Sequence, residues 1–466
     1  MSLDQKLWSQ AYSGYNVGFD FYGLNRDTNT STLLHKRGFL HPNTFLSAMP
    51  EGTGVSAVTE DIGSFARYAS NDYGIGIVTT NPARMYLNNA GTWTFQTGLT
   101  VSATGSTSQL NVYGGHIYYP QKSVLGRYDG TSSQANFQTF SGSAANPRPS
   151  AVFSGSIYFG DDNLVAKWDG TTFNAAALTL PSNFVITSLE VYTDRLFISA
   201  SDGATAKLFI WDGVSTTFEQ SVSFDEPNAP SLVASDGYLW IVSNNTQFKF
   251  SPIYIYNGSS LTKILDLPIK RGVLSGVAKL RNGILIGANE TSSSATYEDG
   301  SAGIWYIGRS DDQTPYMASL LFKARNLTSI TMSAVASLAN ALYAGVRDIA
   351  DSSYWIFGET NTATNGNYIW QTQLIDGGSN DKKQWHGVRI EYNDLTSGDT
   401  IVIKYRLDDD TSFTTLVTIV STTTQDIYFP LGATSRQITL RIEENTSSTG
   451  GSSIQGLTLD YSPLKD

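Results

Sequence analysis

The sequence contains Lys167-Trp168-Asp169-Gly170-Thr171-Thr172-Phe173, in which an aromatic residue is followed by Asp-Gly and then by two threonines. Three further stretches, at residues 127–132, 210–213 and 255–259, share an aromatic residue followed by Asp-Gly or Asn-Gly. Asp-Gly and Asn-Gly tolerate the positive φ angles of a two-residue type I′ hairpin turn, so each copy predicts a strand end and a tight reversal. Repetition at a near-constant interval indicates one supersecondary unit that is copied along the chain.

A second feature recurs from about residue 60 onward: a turn followed by three or four apolar residues. The first aliphatic residues of its seven copies are Ile75, Ile117, Ile157, Leu196, Leu239, Ile284 and Leu342. Five of the steps between them span 39 to 45 residues, and the last step spans 58. A period near 40 residues with short apolar strands is typical of a four-stranded propeller blade. The sequence therefore predicts a β-propeller of seven blades, or of six if the first or last copy is a false match.

An aromatic residue follows each of these aliphatic positions after 11 to 21 residues. The seven aromatic residues are Tyr86, Tyr128, Trp168, Trp211, Tyr256, Trp305 and Trp355. This order predicts that the aliphatic run is the second strand of a blade, that the aromatic stretch is the third, and that the Asp-Gly turn leads to the fourth. Near-continuous apolar runs such as Leu196-Phe197-Ile198 fit strands that neighbouring blades cover on both faces.

A different pattern begins after the polar linker Thr360–Gly366. Residues 387–392 and 437–443 alternate strictly between apolar and polar side chains, and residues 400–406 and 457–461 nearly do so. A period of two with polar outward residues indicates antiparallel strands that have one solvated face. Three further segments, 369–374, 413–420 and 427–429, bring the total to about seven strands. We therefore predict an all-β chain with a propeller at residues 60–365 and a β-sandwich or jelly-roll-like domain at residues 366–466.

The first 59 residues lack a clear period and are predicted to form an N-terminal arm. Tyr12–Gly23 is rich in aromatic residues and fits one or two strands, whereas His35–Pro42 has the composition of a loop. The arm either folds on the body of the protein or docks on a neighbouring subunit. If residues 368–374 belong to the sandwich, the last blade lacks its outer strand, and we expect residues 10–60 to supply it.

Composition excludes several classes of chemistry. The 466 residues include no Cys, which excludes disulfides, thiolate metal sites and a cysteine nucleophile. Charged residues make up only 15% of the chain and the formal net charge is -11, so a nucleic acid partner would be repelled. The sequence contains no run of about 18 apolar residues, so no membrane span is predicted. The residues from Met1 to Lys6 lack the basic and apolar regions of a signal peptide.

The sequence predicts no catalytic, cofactor-binding or metal-binding residue, and hence no enzyme. The four histidines do not occur at metal-ligand spacing, and no nucleophile-elbow or Walker A motif is present. The acidic runs Asp161-Asp162, Asp311-Asp312 and Asp408-Asp409-Asp410 are poor catalytic pairs, because adjacent residues of a strand point to opposite faces. The first and the last are interpreted as turn residues, with a calcium site as the alternative. Long polar loops between about residues 290 and 316, which we expect on one side of the scaffold, are candidates for recognition, and the alternative is that they are neutral insertions.

The C-terminal region resembles a known family in several short motifs. They are Tyr368–Thr372, Leu374–Gly378, Lys382–Trp385, Ile403–Arg406, Phe429–Gly432 and Gln437–Ile442. Together they are similar to the C-terminal β-sandwich of tailed-bacteriophage virion proteins, in which a β-propeller precedes a jelly-roll-like module. The similarity covers about the last 100 residues and, more loosely, the propeller.

The resemblance implies a non-enzymatic structural component of the phage tail, baseplate or nozzle that assembles in the host cytoplasm. Its expected partners are other tail proteins, further copies of itself in a symmetric assembly, and a glycan on the host surface. One alternative is a glycan-binding lectin or polysaccharide-cleaving propeller, which requires two separated carboxylates and exposed Trp or Tyr at the propeller mouth. A second is a scaffold of the WD-repeat kind, although the Gly-His half of that signature occurs only at Gly115-His116.

Overall fold

The computed structural model describes strands and their turns throughout the chain. The residues it describes are 8–13, 33–37, 45–48, 60–77, 84–89, 92–96, 109–143, 146–224, 231–243, 251–267, 274–280, 283–288, 303–308, 316–322, 330–338, 341–348, 353–360, 367–372, 381–393, 395, 397–408, 410, 412–420, 425–445 and 453–464. Within these ranges every regular element is a β-strand, which confirms the all-β fold class.

The strands are numbered in chain order. The N-terminal strands are β1 (Trp8–Ser13), β2 (Leu33–Arg37) and β3 (Phe45–Ala48). The strands of the repeat region are β4 (Asp61–Tyr68), β5 (Asn71–Ile77), β6 (Met85–Asn89), β7 (Thr92–Phe95), β8 (Asn111–Tyr113), β9 (His116–Pro120), β10 (Val124–Tyr128), β11 (Ser133–Thr139), β12 (Ser150–Phe153), β13 (Ser156–Asp161), β14 (Leu164–Trp168), β15 (Phe173–Thr179), β16 (Val185–Tyr192), β17 (Arg195–Ser201), β18 (Ala206–Trp211), β19 (Gln220–Phe224), β20 (Ser231–Ser235), β21 (Tyr238–Val242), β22 (Ser251–Tyr256), β23 (Leu261–Leu267), β24 (Leu274–Leu280), β25 (Gly283–Ala288), β26 (Gly303–Gly308), β27 (Met317–Phe322), β28 (Ile330–Leu338), β29 (Ala341–Asp348) and β30 (Ser353–Thr360). The C-terminal strands are β31 (Asn367–Thr372), β32 (Lys383–Asn393), β33 (Thr400–Leu407), β34 (Thr414–Ile419), β35 (Gln425–Ser435), β36 (Ile438–Asn445) and β37 (Ser453–Pro463).

Strands β4 to β30, together with β3, form seven four-stranded sheets within the described residues. In six sheets the four strands follow one another in chain order, from β4 to β7 through to β24 to β27. The seventh sheet has the order β28-β29-β30-β3, so its fourth strand comes from the N-terminal segment. Seven such sheets are the blades of a propeller, and we number them 1 to 7 in chain order.

The predicted order of strands inside a blade is confirmed. The aliphatic runs lie in the second strands, and the aromatic residues lie in the third strands, as in blade 3 where Ile157 of β13 pairs with Trp168 of β14. The second strands are covered on both faces, since all six residues of β13 and all six of β25 are buried. Their continuous apolar sequence follows from this two-sided burial.

The core of the propeller lies between neighbouring blades. Each of five apolar clusters joins one blade to the next, and one of them joins blade 7 to blade 1 through Ala334, Tyr343 and Ile356 against Ile62 and Phe65. Tyr343 also packs against Trp93 of blade 1, with ring centroids 5.4 Å apart. These contacts close the ring of blades.

Two further sheets form the sandwich, in the orders β1-β37-β32-β35 and β2-β31-β36-β33-β34. Their buried side chains make one core, in which Trp385 and Val388 of the first sheet belong to the same cluster as Ile403 and Leu440 of the second. The strictly alternating residues of β32 and β36 supply this core, as the period of two predicts. The seven predicted C-terminal strands correspond to β31 to β37.

The N-terminal segment contributes a strand to each of the two sandwich sheets. Strand β1 pairs antiparallel with β37, and β2 pairs antiparallel with β31. The prediction of a loop at His35–Pro42 is wrong for its first three residues, because His35 to Arg37 pair with Gln371 to Ile369. This edge position depends on a partner more than 300 residues away along the chain, which local composition does not reveal.

The chain divides into two compact units. One comprises residues 1–45, 305–323 and 359–466, and the other comprises residues 46–304 and 324–358. One boundary falls inside β26, whose sheet partners place it in blade 6.

The polar loops expected near residues 290 to 316 lie outside the described residues, except for β26, which separates them.

Candidate functional site

The Asp-Gly motif forms a four-residue loop between the third and fourth strands of a blade. Trp168 pairs with Phe173, and the Asp169 Oδ1 accepts hydrogen bonds from the N–H groups of Thr171 and Thr172 at 2.8 and 2.7 Å. Only Gly170 has a positive φ, of 98°. The predicted two-residue type I′ turn is therefore wrong: the longer loop offers two amides that the aspartate side chain satisfies.

Asp129 and Asn257 repeat these bonds in blades 2 and 5. Backbone hydrogen bonds, of which that from Thr172 is the strongest, lower the pKa of Asp169 below its ordinary value. The pKa of Asp129 is lowered in the same way, chiefly by the Ser132 amide. These acidic side chains are thus engaged in turn structure.

A hydroxyl group at the end of the first strand links several blades to the next blade. Tyr68 donates to the carbonyl oxygen of Gly115 at 2.7 Å, and Tyr192 donates to that of Gly237 at 2.9 Å. Among the described residues these links are Tyr68 to Gly115, Tyr113 to Gly155, Tyr192 to Gly237 and Ser235 to Gly283. Sequence reasoning missed these links, although Tyr113, Tyr192 and Ser235 each stand four residues before an aliphatic position of the repeat.

The adjacent carboxylates Asp161 and Asp162 organise the connection between blades 2 and 3. Asp161 forms an ion pair of 2.8 Å with Arg148, and both side chains are fully buried. Asp161 also accepts the amides of Ser141 and Gly142, at 2.8 and 2.9 Å. Asp162 lies in the hairpin turn between β13 and β14 with a φ of 56°. The interpretation of this pair as turn residues is confirmed for Asp162, while Asp161 is the partner of a buried cation.

The other acidic runs are only partly described. Asp408 has a φ of 42° and accepts the amides of Arg436 and Gln437 at 2.8 and 2.9 Å, which is a turn role. Asp311, Asp312 and Asp409 lie outside the described residues. In the part of the chain that the structure describes, no group of three or more His, Asp or Glu side chains is placed to hold a metal ion.

His116 and His386 have structural neighbours. His116 begins β9 beside the hairpin turn, and its Nδ1 lies 3.1 Å from the carbonyl oxygen of Gly114. His386 lies at a bulge in β32, with its Nε2 2.9 Å from the hydroxyl of Ser462. His35 is in β2, and His41 lies outside the described residues.

The first strands of the blades surround a cavity of about 310 Å³ on the propeller axis. All seven blades contribute to its wall. This volume is at the lower end of the range of small-molecule sites. The lining residues include Ser64, Gln109, Ser188, Ser231 and Lys279, and among the described residues of this wall none is Asp, Glu, Trp or Tyr.

Several polar side chains of the cavity wall already accept a hydrogen bond from the next blade. The hydroxyl oxygen of Ser64 accepts the Leu110 amide at 3.0 Å, and that of Ser188 accepts the Leu232 amide at 3.1 Å. The Oε1 of Gln109 accepts the Ser150 amide at 3.1 Å. The first strand of a blade is an edge strand with unpaired amides, and these bonds satisfy some of them.

Glu190 lies on the first strand of blade 4, close to Lys279 of blade 6. Burial raises its pKa from 4.5 to about 7, against the lowering effects of hydrogen bonds from Val191 and Ala234 and the charge of Lys279. The Val191 amide donates to the Glu190 Oε1 at 3.2 Å. Neither the aliphatic nor the aromatic repeat includes Glu190, so sequence reasoning had no basis for selecting it.

The fold and these sites define the class of protein: an all-β chain with a β-propeller and a β-sandwich. No family model matches the sequence, and no curated protein matches it. In the described residues, no helix is long and apolar enough to cross a membrane.

Solved structures with similar folds share little sequence with this chain. The extracellular domain of a two-component system from B. thetaiotaomicron has 13% identity and a TM-score of 0.48, and the alignment covers 76% of this chain and 44% of that chain. The WD40 repeats of RRP9 have 11% identity and a TM-score of 0.46, with coverage of 68% and 99%. The Neurospora crassa Pan2 WD40 domain has 8% identity and a TM-score of 0.45, with coverage of 68% and 94%. These likenesses are too distant to bear on function, and none of the three is a virion protein.

Proposed function

We propose that this protein is a non-enzymatic structural component of a bacteriophage tail, in the tail, baseplate or nozzle region. The propeller serves as a rigid platform for particle assembly, and loops of the scaffold contact a neighbouring protein or the host surface. The resemblance of residues 368–442 to phage virion sandwiches is the starting point of this proposal.

The observation that carries the proposal is the path of the N-terminal segment. Strands β1 and β2 complete the sandwich sheets, and β3 is the fourth strand of blade 7. Blade 7 is thus completed by a strand from the other end of the chain. The ring of blades can open at this point only when β3 separates from β30. Such closure suits a component that must keep its shape while its neighbours assemble on it.

Contacts between neighbouring blades support the same role. Buried aromatic side chains pack from blade to blade, and hydroxyl groups such as that of Tyr192 bond to the turn of the following blade. Many copies of a rigid platform in one particle make weak single contacts adequate through avidity.

The proposal is tested by mass spectrometry of phage particles, which are purified on a density gradient from the culture in which this protein is produced. We expect the protein to sediment with the particles, to stay bound after a high-salt wash, and to keep a constant ratio to the capsid protein across fractions. Recovery of the protein only from the particle-free fractions would contradict the proposal. A screen at millimolar glycan concentrations would then test the lectin alternative.

A further inference from the structure

Three polar side chains of the axial cavity wall keep a hydrogen-bond donor. Because the oxygens of Ser64, Ser188 and Gln109 already accept backbone amides, each of these side chains retains a donor. No acceptor for those donors is present among the hydrogen bonds of the described residues. Ser231 lines the same wall.

Lys279 adds a positive charge to this wall. An ammonium group brings three donors and no acceptor. The charge of Lys279 acts on the Glu190 carboxylate, which is not among the residues that line the cavity. A group rich in acceptor oxygens and negative charge therefore complements the wall, whereas a neutral polyol brings no charge to pair with Lys279.

We propose that the axial cavity of the propeller binds a small oxyanion, with Lys279 supplying the charge and Ser64, Ser188 and Gln109 supplying hydrogen-bond donors. The chemistry is that of phosphate, sulfate or a small carboxylate. This inference is independent of the role in a phage tail, since it rests only on the cavity and its side chains.

Isothermal titration calorimetry of the full-length protein with sodium phosphate, sodium sulfate and glucose tests the inference, with ionic strength held constant by sodium chloride. We expect saturable binding of phosphate and sulfate with one site per chain, and no saturable heat from glucose. Lys279→Met should weaken phosphate binding at least about tenfold, because a charge-assisted hydrogen bond is lost. Lys279→Arg should retain binding, because it keeps the charge.

Lys263→Met is the matched control, because it makes the same change in net charge on β23, the outermost strand of blade 5. Its phosphate affinity should stay within about twofold of wild type. Absence of saturable phosphate binding would overturn the inference. Equal binding of glucose and phosphate, or an unchanged affinity in Lys279→Met, would overturn it as well.

Discussion

Several single side chains in this protein connect neighbouring repeats. The Tyr192 hydroxyl group bonds to a glycine carbonyl of the next blade, and the Ser188 hydroxyl group accepts an amide of the next blade. Their roles depend on the position of the following blade, so the residue type alone does not predict them. The aspartates of the Asp-Gly loops differ, because their partners are only two and three residues away.

Tyr192→Phe should lower the free energy of unfolding of the propeller by about 1 kcal/mol, because the carbonyl of Gly237 loses its side-chain donor. Urea denaturation followed by tryptophan fluorescence measures this change. Tyr428→Phe removes the same group from a side chain that is 46% exposed, and it should leave stability nearly unchanged. Equal effects of the two substitutions would argue against the interblade link.

Glu190 should make stability depend on pH. Its pKa is about 7 in the folded state and 4.5 as the ordinary value, so the folded state binds more protons between these limits. The free energy of unfolding should therefore fall as the pH rises through this window and should level off above it. The effect of Glu190 is at most about 3.5 kcal/mol, since its pKa rises from 4.5 to about 7 and one pKa unit corresponds to about 1.4 kcal/mol.

Urea titrations at about pH 5 and pH 8 test this, with Glu190→Gln removing the contribution. The stability difference between wild type and Glu190→Gln should change with pH in the stated direction. Glu219→Gln, on an exposed carboxylate, serves as the control and should show a much smaller change. A difference that is the same at both pH values would rule out the proposed titration of Glu190.

Strand β3 belongs to the propeller, whereas β1 and β2 belong to the sandwich, so deletion of β3 should affect a different part of the protein. It occupies the outer position of blade 7, whereas β1 and β2 are edge strands of the sandwich. Two truncations separate these roles: removal of residues 1–44 leaves β3 in place, and removal of residues 1–48 deletes it.

Removal of residues 1–48 should lower the melting temperature of the propeller, because blade 7 loses a hydrogen-bonded strand and the ring is no longer closed by a distant segment. Removal of residues 1–44 should leave that transition close to its wild-type temperature. Differential scanning calorimetry of both truncated proteins measures the effect. A propeller transition that is the same in the two proteins would show that β3 does not stabilise the ring.

The spacing of Ile117, Ile157 and Leu196 was sufficient to predict the second strands of the blades, because two-sided burial forces continuous apolar runs. The alternation in β32 and β36 similarly predicted strands with one buried face. The pairings of β1 and β2 were not predictable, since they depend on β37 and β31 at the far end of the chain. The axial cavity was equally hidden, because its lining residues come from seven separate blades.

For the molecule as a whole, the central claim is that this propeller and sandwich form part of a phage tail. Immunogold electron microscopy of phage particles tests the claim most directly. The particles come from the culture in which this protein is produced, the antibody is raised against the purified protein, and pre-immune serum is the control. We predict that gold label concentrates at the tail end of the virions. Particles without label, with the protein found free in solution or on cells, would contradict the claim.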